Sequence, residues 1–178
     1  MRSDVKKSCE ELIDFIDKSP VSYHAVENIK HMLADKGFTE LAEADGWKLK
    51  SGCKYFVTRN DSAIIAFAIP KKFNGINIVA SHSDSPCFKV KESPEMDRAG
   101  AYTVLNVEKY GVMLIHPWFD RPLSVAGRIF TGKNGKITGK LVDIEKNILM
   151  IPSLAIHMDR NANDGHSINA QEELLPLY

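Results

Sequence analysis

The sequence has few of the features that mark secreted, membrane-spanning or nucleic-acid-binding proteins. Its three cysteines are an odd number and include no CxxC pair, so they favour a reducing cytoplasm over a disulfide framework. The sequence has 23 basic residues (Lys and Arg) and 23 acidic residues (Asp and Glu), so its net charge is zero. It also has no basic stripe that would favour binding to nucleic acid or to an anionic membrane. The longest apolar runs, such as residues 63–70, are far too short to span a bilayer. Residues 1–11 lack an apolar segment, so we predict no signal peptide.

What is present is the composition of an ordinary globular protein. Apolar residues make up 44% and charged residues 26% of the 178 positions, which is close to the usual balance. A chain of this length can bury a real core, as one large domain or two small ones. We therefore expect a cytoplasmic protein with neither a nucleic-acid nor a membrane partner.

Two amphipathic helices are predicted at the start of the chain. The first spans roughly Asp4–Asp17, with apolar residues at three-to-four spacing. The second is predicted to begin near Ser19-Pro20, a capping residue followed by a proline, and to end at Gly37. We expect both apolar stripes to face the core.

Strand patterns follow the helices. Lys54–Arg59 and Ala63–Ile69 flank Asn60-Asp61-Ser62 and are predicted to form a hairpin. Ile76–Ser81 is a continuous apolar run, typical of a strand buried inside a sheet. Helices followed by strands of this kind favour a layered α/β domain.

The pattern changes again after about residue 91. Short strands are predicted near residues 102–107, 123–130 and 136–144. Asn134-Gly135, between the last two, is a strong hairpin signal. We therefore divide the chain into residues 1–91, within an α/β domain, and residues 92–178, a second, β-rich unit. The apolar end of the sequence, residues 172–178, is an indication of a truncated chain.

The chemically most informative stretch is residues 78–86, where the predicted buried strand ends in a polar cluster around His82 and Asp84. Open α/β sheets place their ligands at this end of a strand. If the extended geometry persists, the two side chains point to the same side. An imidazole can then bind a metal such as zinc while the carboxylate orients it. His-x-Asp is also typical of a hydrogen-bonded pair in a loop, and both interpretations stay open at this point.

Cys87, close to this cluster, is a second candidate because a thiolate can act as a nucleophile. A small buried cysteine explains it as well, since no base lies beside it in the sequence. An unrelated α/β hydrolase that uses Cys87 stays an alternative.

Three long segments carry a family resemblance. They are residues 80–91 (ASHSDSPCFKVK), 118–128 (WFDRPLSVAGR) and 151–160 (IPSLAIHMDR). In this order they resemble the M18 family of metallopeptidases, the aspartyl aminopeptidase group, and the opening helices around residues 19–26 also fit. The resemblance covers almost the whole chain and corresponds to the N-terminal portion of the family.

The resemblance implies a fold and an activity. Family members hold two zinc ions in an α/β catalytic domain that is interrupted by an inserted β-rich assembly domain. Residues 1–91 are then part of a layered zinc-peptidase-type catalytic domain, and residues 92–178 an incomplete dimerisation domain. By this resemblance His82 is a metal ligand and Asp84 supports the site as a catalytic residue. His157 corresponds to a histidine that reaches a neighbouring subunit's active site, as a metal ligand or as a substrate contact.

The resemblance also implies peptide substrates and a homo-oligomer based on dimers, up to a dodecamer. The other metal ligands of such a site are expected outside this chain. The 178 residues alone are therefore predicted to be an inactive fragment of a zinc aminopeptidase, with a catalytically inactive oligomerisation module as the alternative. Residues 118–121 are interpreted as an aromatic packing corner with an Asp–Arg pair. Of the other histidines, His24 and His31 are expected to face solvent, His116 to pack locally, and His166 carries no signal.

Overall fold

The computed structural model describes residues 3–165 and 167–178, and these form two compact units. The first unit contains the chain up to Asp84 together with Ala126–Asp143. The second unit contains Ser85–Val125 and Ile144–Tyr178. Among the described residues, no helix combines the length and the apolar character that a membrane crossing requires.

This division differs from the one that the sequence pattern predicts at residues 91 and 92. Residues 85–91 lie in the second unit, and the hairpin of residues 126–143 lies in the first. The roles assigned to residues 1–91 and 92–178, a catalytic domain and an assembly domain, stay predictions.

Helix α1 (Ser3–Asp17) confirms the first predicted helix, but its apolar stripe is not buried. Leu12, Ile13 and Ile16 are each more than half exposed. The prediction of a core-facing stripe is therefore wrong for this helix. An apolar stripe shows that a helix can be buried on one face, and it does not itself supply an element that covers that face.

Helix α2 (Ser22–Asp35) begins later than the Ser19-Pro20 signal predicts. The Asn28 amide donates to the Ser19 hydroxyl oxygen at 3.0 Å and to the Lys18 carbonyl at 2.8 Å. Ser19 thus bonds a side chain within the helix instead of capping its first turn. The helix ends as predicted at Gly37, which has a φ of +77° and donates its N–H to the Ala34 carbonyl.

The sheet of the first unit has the order β1-β2-β3, with β1 (Thr39–Leu41) parallel to β2 (Lys54–Arg59). Strand β3 (Ala63–Ala68) is antiparallel to β2, which confirms the predicted hairpin. Asn60 and Asp61, in the three-residue loop 60–62, both have a φ of +53°, a left-handed conformation that Asn and Asp tolerate. The core of this unit contains Ala25, Val26, Tyr55 and Phe56.

Residues 76–81 do not form the buried strand that their apolar run predicts. They belong to no strand, and Ile76, Ile78 and Val79 are exposed, Val79 completely at 100%. A strand needs a neighbour that satisfies its backbone N–H and C=O groups, and the β1-β2-β3 sheet does not include these residues. The run favours burial, but burial also requires a partner strand.

The second unit is built on an antiparallel pair, β4 (Cys87–Arg98) and β5 (Tyr102–Tyr110). A register shift between Val90 and Glu95 interrupts the pairing, which is the mark of a β-bulge. A 3-10 turn follows at His116–Trp118, and the short helix that we name α3 spans Ala170–Glu173. The core of this unit contains Val104, Val107, Leu149, Ile151, Leu174 and Leu175.

The hairpin predicted from Asn134-Gly135 is present as β6 (Ala126–Lys133) and β7 (Lys136–Asp143). Asn134 has a φ of +52° and Gly135 a φ of +75°, so the turn chemistry read from the sequence is confirmed. Strand β6 begins later than the predicted strand at residue 123.

Candidate metal centre

The His82 and Asp84 side chains meet, as their spacing predicts. The His82 Nδ1 atom lies 3.0 Å from Asp84 Oδ1 and 2.8 Å from the Asp84 carbonyl oxygen. A nitrogen that faces two acceptors carries the proton, so we assign the Nδ1–H tautomer from these contacts. Nε2 then keeps its lone pair and is the ring nitrogen that can bind a metal.

The His82 side chain is more exposed than the Asp84 side chain, as expected for a metal ligand and the carboxylate that orients it. The His82 side chain is 82% exposed, so its Nε2 is accessible. The Asp84 side chain is 37% exposed and faces the ring on its Nδ1 side. A carboxylate placed behind a histidine in this way fixes the ring orientation and raises the basicity of the ligating nitrogen.

Ser83, between these residues, lies at a bend and has a partner of its own. Its hydroxyl donates to the Ser62 carbonyl at 2.8 Å, and its side chain is half-buried. This hydrogen bond holds the backbone between His82 and Asp84.

His82 and Asp84 have the chemistry of a zinc site, but they supply fewer ligands than a catalytic zinc ion needs. A neutral imidazole is a good zinc ligand, and a catalytic zinc usually has three protein ligands. Within residues 3–165 and 167–178, no group of three or more His, Cys, Asp or Glu side chains is close enough to hold a metal ion. The pair in this chain can therefore supply only one corner of a metal centre.

His157 lies in the second unit, in the turn at residues 156–158, and is exposed. The Met158 N–H donates to the Ala155 carbonyl at 2.8 Å across this turn. His157 therefore lies in a turn and not on a strand. Its assignment as a metal ligand or substrate contact stays a prediction.

The corner at residues 118–121 is aromatic, but its carboxylate has a different partner from the one predicted. Trp118 packs edge-on against Phe88 with ring centroids 4.9 Å apart. The Asp120 carboxylate accepts from the Ser153 hydroxyl at 2.6 Å and from the Ser153 N–H at 2.9 Å. Ser153, and to a lesser extent the nearby His116, hold the pKa of the Asp120 carboxyl below its ordinary value. The predicted pairing with Arg121 is replaced by this one.

Cys87 and the remaining histidines add little to the site. Cys87 is half-buried at the start of β4, paired with Tyr110 in the ladder. His31 is exposed beside Glu27, as expected. The Nδ1 atom of His24, a residue expected to face solvent, is instead buried without a hydrogen bond. His116 contacts the Phe119 ring, as expected, and His166 lies outside the described residues.

Sequence reasoning missed Arg128, which falls at the end of the segment 118–128 and lies in β6. Its guanidinium carbon is 4.3 Å from the Tyr23 ring centroid and 4.8 Å from that of Phe130. It also donates to the turn at Asn60 and Asp61. The signal that was available is an arginine in the middle of a strand, which needs partners when it is buried.

A comparison with protein-family models gives a match over most of the chain. The model for the aminopeptidase I zinc metalloproteases (M18) matches residues 15–178. The probable M18 family aminopeptidase 2 of Clostridium novyi (strain NT) is 46% identical over 176 residues, which cover 96% of this chain and 41% of the relative. The chain therefore spans about 40% of the length of the curated relatives it matches.

Solved structures give the same result. A chain in the cryo-EM structure of the Ape4 and Nbr1 complex is 43% identical with a TM-score of 0.91, over 96% of this chain and 34% of that one. The S. cerevisiae mApe1 dodecamer is 29% identical with a TM-score of 0.82, over 98% of this chain and 38% of that one. These likenesses confirm the predicted α/β fold class and family. With a family model that covers nearly all of its residues, the chain belongs to the M18 family of zinc metalloproteases, the aminopeptidases.

Proposed function

We propose that this chain supplies one corner of the active site of a zinc-dependent aminopeptidase that releases N-terminal amino acids from peptides. The observation that carries the proposal is the His82–Asp84 contact at 3.0 Å, in a chain that belongs to the M18 family. His82 is proposed as a metal ligand through Nε2. Asp84 is proposed to hold the proton on Nδ1.

His82 would hold zinc together with further ligands, and the ion would supply polarisation of the scissile carbonyl and a lowered pKa of a water molecule. The chain's own residues contribute orientation. The Asp84 carbonyl and carboxylate both accept from the His82 ring, so the ring need not reorganise when the metal enters. Ser83 holds the backbone between them.

Three protein ligands usually bind a catalytic zinc, and the described residues bring no such group together. The chain also spans only about 40% of the length of its relatives. We propose that the other ligands, for two zinc ions, come from sequence that the relatives have and this chain does not. The 178 residues alone are then inactive.

Assembly is proposed from the solved relatives, one of which is a dodecamer. We propose a homo-oligomer built from dimers, in which His157 of one subunit reaches the active site of its neighbour. The exposed position of His157 in a turn supports this role. A cytoplasmic location is proposed because Cys9, Cys53 and Cys87 form no disulfide.

A chimera tests the activity. This chain replaces the matching residues of the Clostridium novyi relative, and release of N-terminal residues is measured with and without a zinc chelator. We expect zinc-dependent release. His82→Ala should lower activity by more than about 100-fold, and Asp84→Asn by about 10–100-fold, the range typical of an outer-shell partner. His31→Ala removes an exposed histidine of α2 and is the matched control.

Two outcomes would count against the proposal. A folded, zinc-loaded chimera in which His82→Ala retains activity would remove His82 from the metal site. A chimera that assembles normally but releases no amino acids, beside an active parent relative, would favour the alternative of an inactive oligomerisation module.

The role of His157 is tested by mixing subunits. A His157→Ala chimera and a His82→Ala chimera are each expected to be inactive. If His157 serves the neighbouring subunit, oligomers reassembled from both contain some intact sites and regain part of the activity. No recovery in mixed oligomers of confirmed composition would contradict a role between subunits.

A further inference from the structure

The His82–Asp84 pair is linked to the rest of the first unit through Ser83. The Ser83 hydroxyl reaches the Ser62 carbonyl, which lies 21 residues earlier at the end of the β2–β3 turn. Residues 76–81, which lead into the pair, belong to no strand. The position of the pair therefore depends on side-chain anchoring more than on a backbone ladder.

The turn that accepts the Ser83 hydrogen bond contains two non-glycine residues with positive φ. Asn60 and Asp61 both have a φ of +53°, a region that Asn and Asp tolerate better than other non-glycine residues. Ser62 follows directly, and its N–H donates to the Arg59 carbonyl at 3.2 Å. Whatever fixes Asn60 and Asp61 therefore also fixes the Ser62 carbonyl.

Arg128 holds this turn through three hydrogen bonds. One terminal nitrogen of its guanidinium donates to the Asn60 carbonyl at 2.9 Å and to Asp61 Oδ2 at 3.1 Å, and the other donates to Asn60 Oδ1 at 2.9 Å. The side chain is only 11% exposed and lies against the rings of Tyr23 and Phe130. A planar fork held close to two rings has little freedom, so it sets the position of its acceptors.

We infer that Arg128 is a positioning residue for the His82–Asp84 pair, acting through the Asn60-Asp61 turn and Ser83. Every contact in this series lies within the first unit. The inference rests on the proposed metal-ligand function of His82 and extends it to Arg128, a residue of β6. Its effect is on the orientation of the His82 ring, and hence on which ring nitrogen is free for metal.

The test measures the His82 tautomer in the metal-free 178-residue chain. Nitrogen-15 NMR of labelled histidine distinguishes Nδ1–H from Nε2–H at a pH where imidazole is neutral. Arg128→Lys keeps the charge and removes the fork. We expect it to lower the ratio of Nδ1–H to Nε2–H about two- to tenfold, the change that one hydrogen bond supports. The matched control is Arg59→Lys, an exposed arginine of the same hairpin that pairs with Glu43, and it should leave the ratio unchanged.

Two further variants test the intermediate links. Ser83→Ala should lower the same ratio, and Ser83→Thr, which keeps the hydroxyl, should restore it. Asn60→Gly removes one acceptor of Arg128 and keeps a residue that accepts positive φ, so it should act in the same direction as Arg128→Lys.

An unchanged tautomer ratio in a folded Arg128→Lys chain overturns the inference. If that variant does not fold, Asn60→Gly decides, and an unchanged ratio there overturns it equally. A purely structural role of Arg128 would lower the unfolding free energy and leave the tautomer ratio of the folded chain as it is. Because this readout needs neither metal nor activity, its failure is distinguishable from loss of zinc-dependent release in the chimera.

Discussion

Two short β-patterned segments of the first unit, β2 (Lys54–Arg59) and residues 76–81, have opposite outcomes. Strand β2 is hydrogen-bonded to β1 on one side and β3 on the other, and it buries Tyr55 and Phe56. Residues 76–81 belong to no strand, and Val79 is fully exposed. Both segments are rich in residues that favour strands. The difference lies in the partners, because β2 has a strand nearby in sequence on each side.

The largest expected effect comes from removing a buried ring of β2. Phe56 is 3% exposed, and Phe56→Ala should lower the free energy of unfolding by about 3–5 kcal/mol. Chemical denaturation followed by circular dichroism measures this. Phe73→Ala, at an exposed phenylalanine, is the control and should change little. Equal effects at the two positions would show that burial of Phe56 in β2 contributes nothing specific to stability.

The second test asks whether residues 76–81 are exposed for lack of a partner. In the 178-residue chain, Ile78→Ala should change the unfolding free energy by less than about 0.5 kcal/mol, as is usual for a surface position. In the chimera, which has the full length of the Clostridium novyi relative, Ile78→Ala should lower the free energy of unfolding by about 2–5 kcal/mol if the segment becomes buried. A small effect in both proteins would show that the segment stays exposed.

The third test weakens the strand pairing of the β6–β7 hairpin by changing its turn. Gly135 has a φ of +75°, so a valine there should cost about 1–2 kcal/mol. We expect faster hydrogen exchange in β6 and β7, approaching that of residues 76–81. Gly132→Val is the control, because Gly132 lies within β6 with ordinary φ and has open space where a side chain would extend. Similar exchange in both variants would contradict the role assigned to the turn.

The smallest expected effect concerns the hydrogen bonds between Ser153 and Asp120 in the second unit. Ser153 holds the pKa of Asp120 below its ordinary value. A depressed folded-state pKa contributes stability above the unfolded-state pKa, and that stability is lost as the pH falls through the folded-state value. Ser153→Ala should therefore move the Asp120 pKa upward in a carbon-13 NMR titration, whereas Ser153→Thr should preserve it. An Asp120 pKa that is the same in all three chains would show that the Ser153 hydroxyl is not its cause.

Local signals in the sequence predict local structure well in this chain. The Asn134-Gly135 turn, the β2–β3 hairpin and the end of α2 at Gly37 all depend on neighbouring residues, and all are confirmed. The contact between His82 and Asp84 is also local, since the two residues are only two positions apart. It forms in a segment with a bend at Ser83, without the strand that the apolar run predicts.

What the sequence does not predict depends on residues far apart. Ser19 looks like a helix cap, and its hydroxyl bonds Asn28 instead. Asp120 pairs with Ser153, 33 residues away, in preference to the adjacent Arg121. Arg128 bonds a turn 67 residues earlier. In each case tertiary packing, and not the adjacent residues, selects the partner of the polar group.

The unpaired segment at residues 76–81 also has a consequence for the behaviour of the chain in concentrated solution. An exposed apolar stretch with strand-forming residues and free backbone groups is a template for pairing with other molecules. The sequence here, with Ile76, Ile78 and Val79 exposed, carries no charge between residues 76 and 81 to oppose such association. Self-association of the 178-residue chain should therefore rise steeply with concentration, and a charged residue at position 79 should suppress it.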